Sequence, residues 1–287
     1  MKDLLISKNK NQTRILLALF ILIILTCSLE SKTFYSLINR KSKLTNENPE
    51  NITSSIAATN ANNQSLSLFS TQNWGIFSKL FFGPNNTIWG VYEKTGELYS
   101  AIWPVRDLFK VQYLVGTEYW NSYRLLFFNP KSGELYAVDK EKNEMYKGTP
   151  PNNMNDIWKN RAIKVGVNTW KDFKQLLFGH DGFYMYGITE KEGKLLAGPI
   201  PDKQGNWVSK CKVLANSGWN EFIHVSINTN GKVICVTSRG EVLVRNPPEN
   251  YTINWVDDAV NVDTKVEYSK AKFFLVKDDG KDVYIVK

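Results

Sequence analysis

Three short stretches set an acid or an amide beside a tryptophan: Asp156-Ile157-Trp158, Gly205-Asn206-Trp207 and Ile253-Asn254-Trp255. An indole offers a flat apolar face, and a carboxylate or carboxamide close by offers fixed hydrogen-bonding groups. Together they suit a ligand with a C–H face and a hydroxyl or amide edge. A second reading stands beside the first: Trp158, Trp207 and Trp255 cap packing interfaces, while Asp156, Asn206 and Asn254 make local turn bonds. Other chemistries find less support. His180 and His224 are the only histidines, and neither has partners at metal-ligand spacing, so no metal and no cofactor is expected. Asp257-Asp258 and Asp278-Asp279 fall at a repeat end and in a turn and read as solvated turn residues, which argues against an enzyme. Cys211 and Cys235 lie in strand-like stretches of different repeats and read as two buried thiols, with a disulfide as the alternative. Cys27 sits in an apolar run.

The elements that position these loops repeat. Trp74, Trp120, Trp170, Trp219 and Tyr268 each begin a unit and are separated by 46–50 residues. Three places on stands Phe77, Tyr123, Phe173, Phe222 or Ala271, and an apolar stretch follows. A turn ("GPNN", "NPKSG", "GHDG", "NTNG", "KDDG") leads to "IWGV", "LYAV", "MYGI", "VICV" and "VYIV", strands of β-branched and aromatic residues. Gly90, Ala137, Gly187 and Cys235 share one column, as though something packs closely there. A further strand, a proline corner, the tryptophan loop (Phe109 in the first unit) and a fourth strand complete the unit. Four short strands cannot bury their own faces, and radial stacking solves that problem. The pattern predicts an all-β, five-bladed propeller of four-stranded antiparallel blades. The fifth unit stops after two strands, and "SLSLFS" at 65–70 precedes Trp74 like a fourth strand, so amino- and carboxyl-terminal strands are expected to close the ring in one blade. Trp74, Trp120, Trp170 and Trp219 read as interblade core. WD40, kelch and sialidase signatures are absent.

The stretch 120–166, "WNSYRLLFFNPKSGELYAVDKEKNEMYKGTPPNNMNDIWKNRAIKVG", resembles the tachylectin-2 family of lectins, in which Trp-x-x-Phe-Lys-x-Leu-Phe-Phe, Leu-Tyr-Ala-Val, Pro-Pro, Asp-Asn-Trp and Arg-Ala follow in order. The likeness covers residues 64–287 and thins in units four and five. It implies a five-bladed propeller with a sugar site between neighbouring blades, binding N-acetylglucosamine and N-acetylgalactosamine without catalysis. Only parts of Asp-Asn-Trp survive: Asp156 with Trp158, Asn206 with Trp207, Asn254 with Trp255, and Asp107-Leu108-Phe109 in unit one. These loop residues are the carbohydrate-binding candidates, and glycans with terminal N-acetylhexosamine are the expected partners.

Residues 1–60 hold 8 Lys and Arg against 4 Asp and Glu, leaving 28 against 24 in the remainder, so the net charge of +8 does not describe a basic nucleic-acid face. "RILLALFILIILTCSLE" reads as a membrane-targeting segment. Residues 1–14 would be a cytosolic tail, 15–29 a signal anchor or signal peptide, 30–63 a polar stalk and 64–287 the propeller. The expected place is a type II membrane protein with the propeller lumenal or extracellular, or a secreted one if the segment is cleaved near Thr26 or Ser28. Asn51, Asn63, Asn85 and Asn250 lie in glycosylation sequons beyond that segment. Two other functions share this plan: a propeller that binds protein instead of sugar, and a lumenal glycan-processing enzyme.

Overall fold

In the computed structural model the described residues are 65–68, 74–103, 113–117, 119–166, 170–201, 205–250, 254–276 and 282–286. The tail, the 15–29 segment, the 30–63 stalk, Asn51, Asn63, Cys27, Asp107 and Phe109 lie outside them. Trp74, Trp120, Trp170 and Trp219 each open a single 3-10 turn, and Tyr268 lies in the one-turn helix Val266–Ser269. All five rings are nearly inaccessible to solvent, in line with the expectation that they are interblade core.

A first strand, β1, is Ser65–Leu68. The first blade comprises β2 (Phe77–Gly83), β3 (Thr87–Tyr92), β4 (Leu98–Ile102) and β5 (Tyr113–Gly116). The second comprises β6 (Tyr123–Phe128), β7 (Leu135–Asp139), β8 (Met145–Gly148) and β9 (Ile163–Val165). In the third, β10 (Phe173–Phe178), β11 (Tyr184–Thr189), β12 (Leu195–Pro199) and β13 (Lys212–Ala215) follow the same order. The fourth has β14 (His224–Ile227), β15 (Val233–Val236), β16 (Glu241–Arg245) and β17 (Val260–Thr264). All four are antiparallel meanders, whereas β18 (Phe273–Val276) and β19 (Asp282–Val286) form a three-stranded sheet with β1. The expectation of five four-stranded blades is therefore corrected: among the described residues four are complete.

The pairing of β1 explains the difference. Ser65 to Leu68 align with Asp282 to Ile285 in parallel. In a meander the fourth strand runs in the same direction as the second. With no third strand between them in this sheet, β1 bonds to β19 directly and so in parallel. Amino- and carboxyl-terminal strands thus share one sheet, and the innermost strands touch in the cycle β2, β6, β10, β14, β18 and back to β2.

The small column has the packing reason anticipated for it. A Cβ at Gly90 would come within 2.6 Å of the Phe77 ring, and one at Gly187 within 2.5 Å of Phe173. The last sheet reverses the sizes, with Ala271 in the aromatic position and Ile285 in the small column, inside one buried cluster. Volume is conserved while its place is exchanged.

Cations link one sector to the next. Arg124 on β6 donates to the carbonyls of Trp170, at 2.5 Å, and of Phe173. Lys174 on β10 donates to Asn220 O at 2.7 Å and Phe222 O at 2.9 Å. Lys272 crosses the closure to Gly75 O and Glu93, both at 2.7 Å. Between the fourth blade and the last sheet this office falls to His224, whose Nε2 lies 3.2 Å from Ala271 O and whose ring stacks on Phe274 at 5.7 Å. Burial, and secondarily the charge of Lys174, hold the His224 imidazole below its usual pKa.

Three outcomes follow. Gly187→Ile overfills the third blade and costs about 3 kcal/mol, and adding Phe173→Ala recovers part of that loss in chemical denaturation, as the reversed sizes of the last sheet require. Tyr136 is fully buried with its hydroxyl unpartnered among the described residues, so Tyr136→Phe raises stability by about 1 kcal/mol. Because the folded His224 has the lower pKa, its contribution is complete above the unfolded value near 6.5 and is lost as pH falls below it. Urea midpoints therefore drop between pH 7.5 and 5.5, and His224→Gln flattens that dependence.

Candidate functional site

Each candidate tryptophan lies on the loop from the third to the fourth strand of its blade, and that loop folds back toward the preceding blade. Trp158 shares a buried cluster with Val91, Leu98 and Val115 of the first blade. Trp207 packs with Tyr136, Val138 and Met145 of the second, and Trp255 with Ile188 and Leu195 of the third. Every one meets the opening tryptophan of its own unit: Trp120–Trp158 at 5.7 Å, Trp170–Trp207 at 5.6 Å and Trp219–Trp255 at 5.2 Å between ring centroids. Their indole N–H groups donate to Thr149 O (2.9 Å), Pro199 O (2.7 Å) and Asn246 O (2.7 Å) of the same loops.

The three indoles are 2%, 2% and 3% exposed. The reading of Trp158, Trp207 and Trp255 as stacking faces for a ligand is therefore corrected: no open ring face remains, because each ring fills the wedge between two blades. In the first unit Trp103 takes this place, 4.7 Å from Tyr284 and 5.3 Å from Phe82. Trp103 precedes the proline rather than following it, which is why spacing alone assigned the column to Phe109.

The polar partners stay at the surface but are engaged locally. Asp156 accepts from Arg161 Nε at 2.9 Å and 3.2 Å and also from Nη2, while the same guanidinium reaches Thr149 O at 2.6 Å and Pro150 O at 3.1 Å. Arg161 holds the Asp156 carboxyl below the usual range, so it stays an acceptor. Asn206 Oδ1 accepts from Val208 N at 3.0 Å, and Asn254 donates to Asp257 at 2.6 Å. These are turn bonds of the kind the second sequence reading describes.

Loop 149–161 joins β8 to β9. It exposes Asn152, Asn153, Asn155 and Asn160, and Thr117 Oγ1 donates to Met154 O at 3.4 Å, tying it to the link that enters the second blade. On that link Tyr119 is 77% exposed at a left-handed φ of 71°. A non-glycine residue there is uncommon and worth a functional question. Tyr119 and Arg161 were not among the sequence candidates, although Tyr119 stands where the fourth unit has Gly218. Next to each buried indole an aliphatic side chain points outward, at Ile157, Val208 and Val256.

The remaining candidates fall as follows. Cys211 and Cys235 are free thiols in two different interblade clusters; Cys235 is buried, as the buried-thiol reading expected, and Cys211 is half-buried. Burial pushes the Cys211 thiol up to about 12. Asp258 pairs with Arg245 at 2.9 Å, and Asp278 and Asp279 lie outside the described residues. Among the described residues no three His, Cys, Asp or Glu gather to hold a metal, and no helix is long and apolar enough to cross a membrane. Asn85 is exposed in its turn, and Asn250 is half-buried.

Breaking the Asp156 pair tests its role in shaping this loop. Arg161→Met releases the Thr149 and Pro150 carbonyls, increases amide exchange across 149–157, and lowers stability by about 1–2 kcal/mol.

The chain resembles a solved structure described as "The de novo evolutionary emergence of a symmetrical protein is shaped by folding constraints", with 29% identity, a TM-score of 0.56, and coverage of 62% of this chain and 73% of that one. A calcium-binding regucalcin from Agrobacterium tumefaciens aligns at 14% identity and a TM-score of 0.37, over 60% of this chain and 57% of that one. No curated protein matches the sequence. The Tachylectin family model matches residues 58–272, from before β1 through every complete blade and up to the start of β18, and the chain belongs to the Tachylectin family.

Proposed function

We propose that the protein is a non-catalytic lectin that binds glycans ending in N-acetylglucosamine or N-acetylgalactosamine through several interblade loops at once. The observation that carries this reading is the family match over 58–272, laid on a ring in which one loop design recurs between blades. With the indoles buried, the contacts come from loop surfaces: Asp156 fixed as an acceptor, the amides of Asn206 and Asn254, and Tyr119 as the exposed ring. Each such site is shallow, and several on one rigid ring turn weak contacts into avidity for clustered glycans.

The setting is part of the proposal. Residues 15–29 act as a signal anchor, placing the ring lumenally or outside the cell on the 30–63 stalk, or as a signal peptide that releases it. There a multivalent lectin serves innate immune recognition. Asn51, Asn63, Asn85 and Asn250 carry N-glycans in that compartment. A second reading, a ring that binds protein, is favoured by the outward Ile157, Val208 and Val256, which repeat an exposed apolar contact from loop to loop.

A glycan array probed with the purified protein tests the first reading. Clustered N-acetylhexosamine glycans give signal, Tyr119→Ala and Asp156→Ala reduce it several-fold without lowering the melting temperature by more than a few degrees, and Trp207→Ala instead costs about 3 kcal/mol or more of stability. Silence of folded protein across the array overturns the lectin reading and leaves the protein-binding ring.

A further inference from the structure

The turns that join first to second strands provide an internal comparison. Where the first, second and fourth blades have Asn86-Thr87, Gly133-Glu134 and Gly231-Lys232, the third has Phe183-Tyr184. These two adjacent rings are 54% and 55% exposed. Blade packing does not require them, since three other blades join the same two strands with small or polar residues at these positions.

The turn is held rigid from the neighbouring blade. Asn129, 1% exposed, donates to Gly182 O at 2.8 Å and accepts from Lys131 N and Ser132 N at 2.9 Å and 3.0 Å. Gly182 has φ 67°, and a Cβ there would fall 2.5 Å from Asn129 Oδ1. Lys131 Nζ sits 3.5 Å from the Phe183 centroid, with no carboxylate paired to it among the described residues. Asp181, half-buried, fixes the turn by accepting from Phe183 N at 2.9 Å.

We propose that this turn is a separate glycan subsite, selective for a pyranose that carries a sulfate or carboxylate. The sugar's C–H face stacks on Tyr184, a hydroxyl donates to Asp181, and Lys131, seated over the Phe183 ring, meets the anionic substituent. A neutral sugar would use Tyr184 and Asp181 but leave the cation idle. The subsite rests on the lectin reading and lies apart from the 149–161 loop and its counterparts.

The test uses the full protein on immobilised 6-sulfo-N-acetylglucosamine and unsulfated N-acetylglucosamine glycans of equal density. The sulfated glycan binds at least several-fold more tightly at low salt. Tyr184→Ala and Lys131→Met each remove about tenfold of that binding and keep the wild-type melting temperature, and Lys131→Met leaves the unsulfated signal unchanged. Equal binding of the two glycans, or sulfated binding that neither substitution alters, overturns the subsite while the lectin reading stands. No binding to either glycan overturns both.

Discussion

Filling the wedge between neighbouring blades is the constraint on which the rest of this structure depends. Sheets that fan out from an axis diverge outward, and the space between them must be packed to the density of a protein interior. Here the answer is a pair of indoles per gap, one from the start of the unit and one from the loop after the third strand, with the aromatic at the third place completing the contact. Tyr123, Phe173 and Phe222 meet Trp158, Trp207 and Trp255 nearly edge-on, at 6.0, 5.6 and 6.0 Å. The gap between the fourth blade and the last sheet has no loop indole in its cluster, and relies on Tyr268, Phe274 and aliphatic side chains. The loops are therefore wall as well as rim, and whatever they recognise must be recognised by the side chains left over once the wall is built.

Much of this was legible in the chain. The unit length, four strands per unit, the turn sequences and the small column all followed from periodicity and residue type, because strand alternation and turn chemistry are local. What failed to follow was the use of individual side chains. A tryptophan beside an aspartate looks the same in sequence whether its ring faces solvent or a neighbouring blade; only the return path of the loop decides, and that path is a tertiary property. The count of complete blades failed for a similar reason: "SLSLFS" had the spacing of a fourth strand, but spacing carries no information on which strand will be adjacent.

The misses at Tyr119 and Phe183-Tyr184 have another origin. Aligning repeats draws the eye to columns that agree, and those columns are the ones that packing dictates. Residues that break the column, such as an aromatic where other units place glycine or threonine, carry the information that packing does not explain. In this ring the second and third blades concentrate such departures, while the fourth blade and the last sheet depart mainly by repacking, as at Cys235, Ala271 and Ile285.

The parallel union of β1 with β19 has a consequence for how the ring comes into being. Every complete blade is assembled from neighbours in sequence and can form from local hairpins, but this one pairing joins strands from opposite ends of the ring and has the largest loop to close. It is the latch of the molecule. A chain whose latch has not yet shut is an open arc with two unsatisfied strand edges, and the partner that best satisfies them is the identical arc of another copy. Crowding newly made chains thus favours exchange of β1 between rings, and the same strand that closes the ring is the one through which two rings can become one assembly.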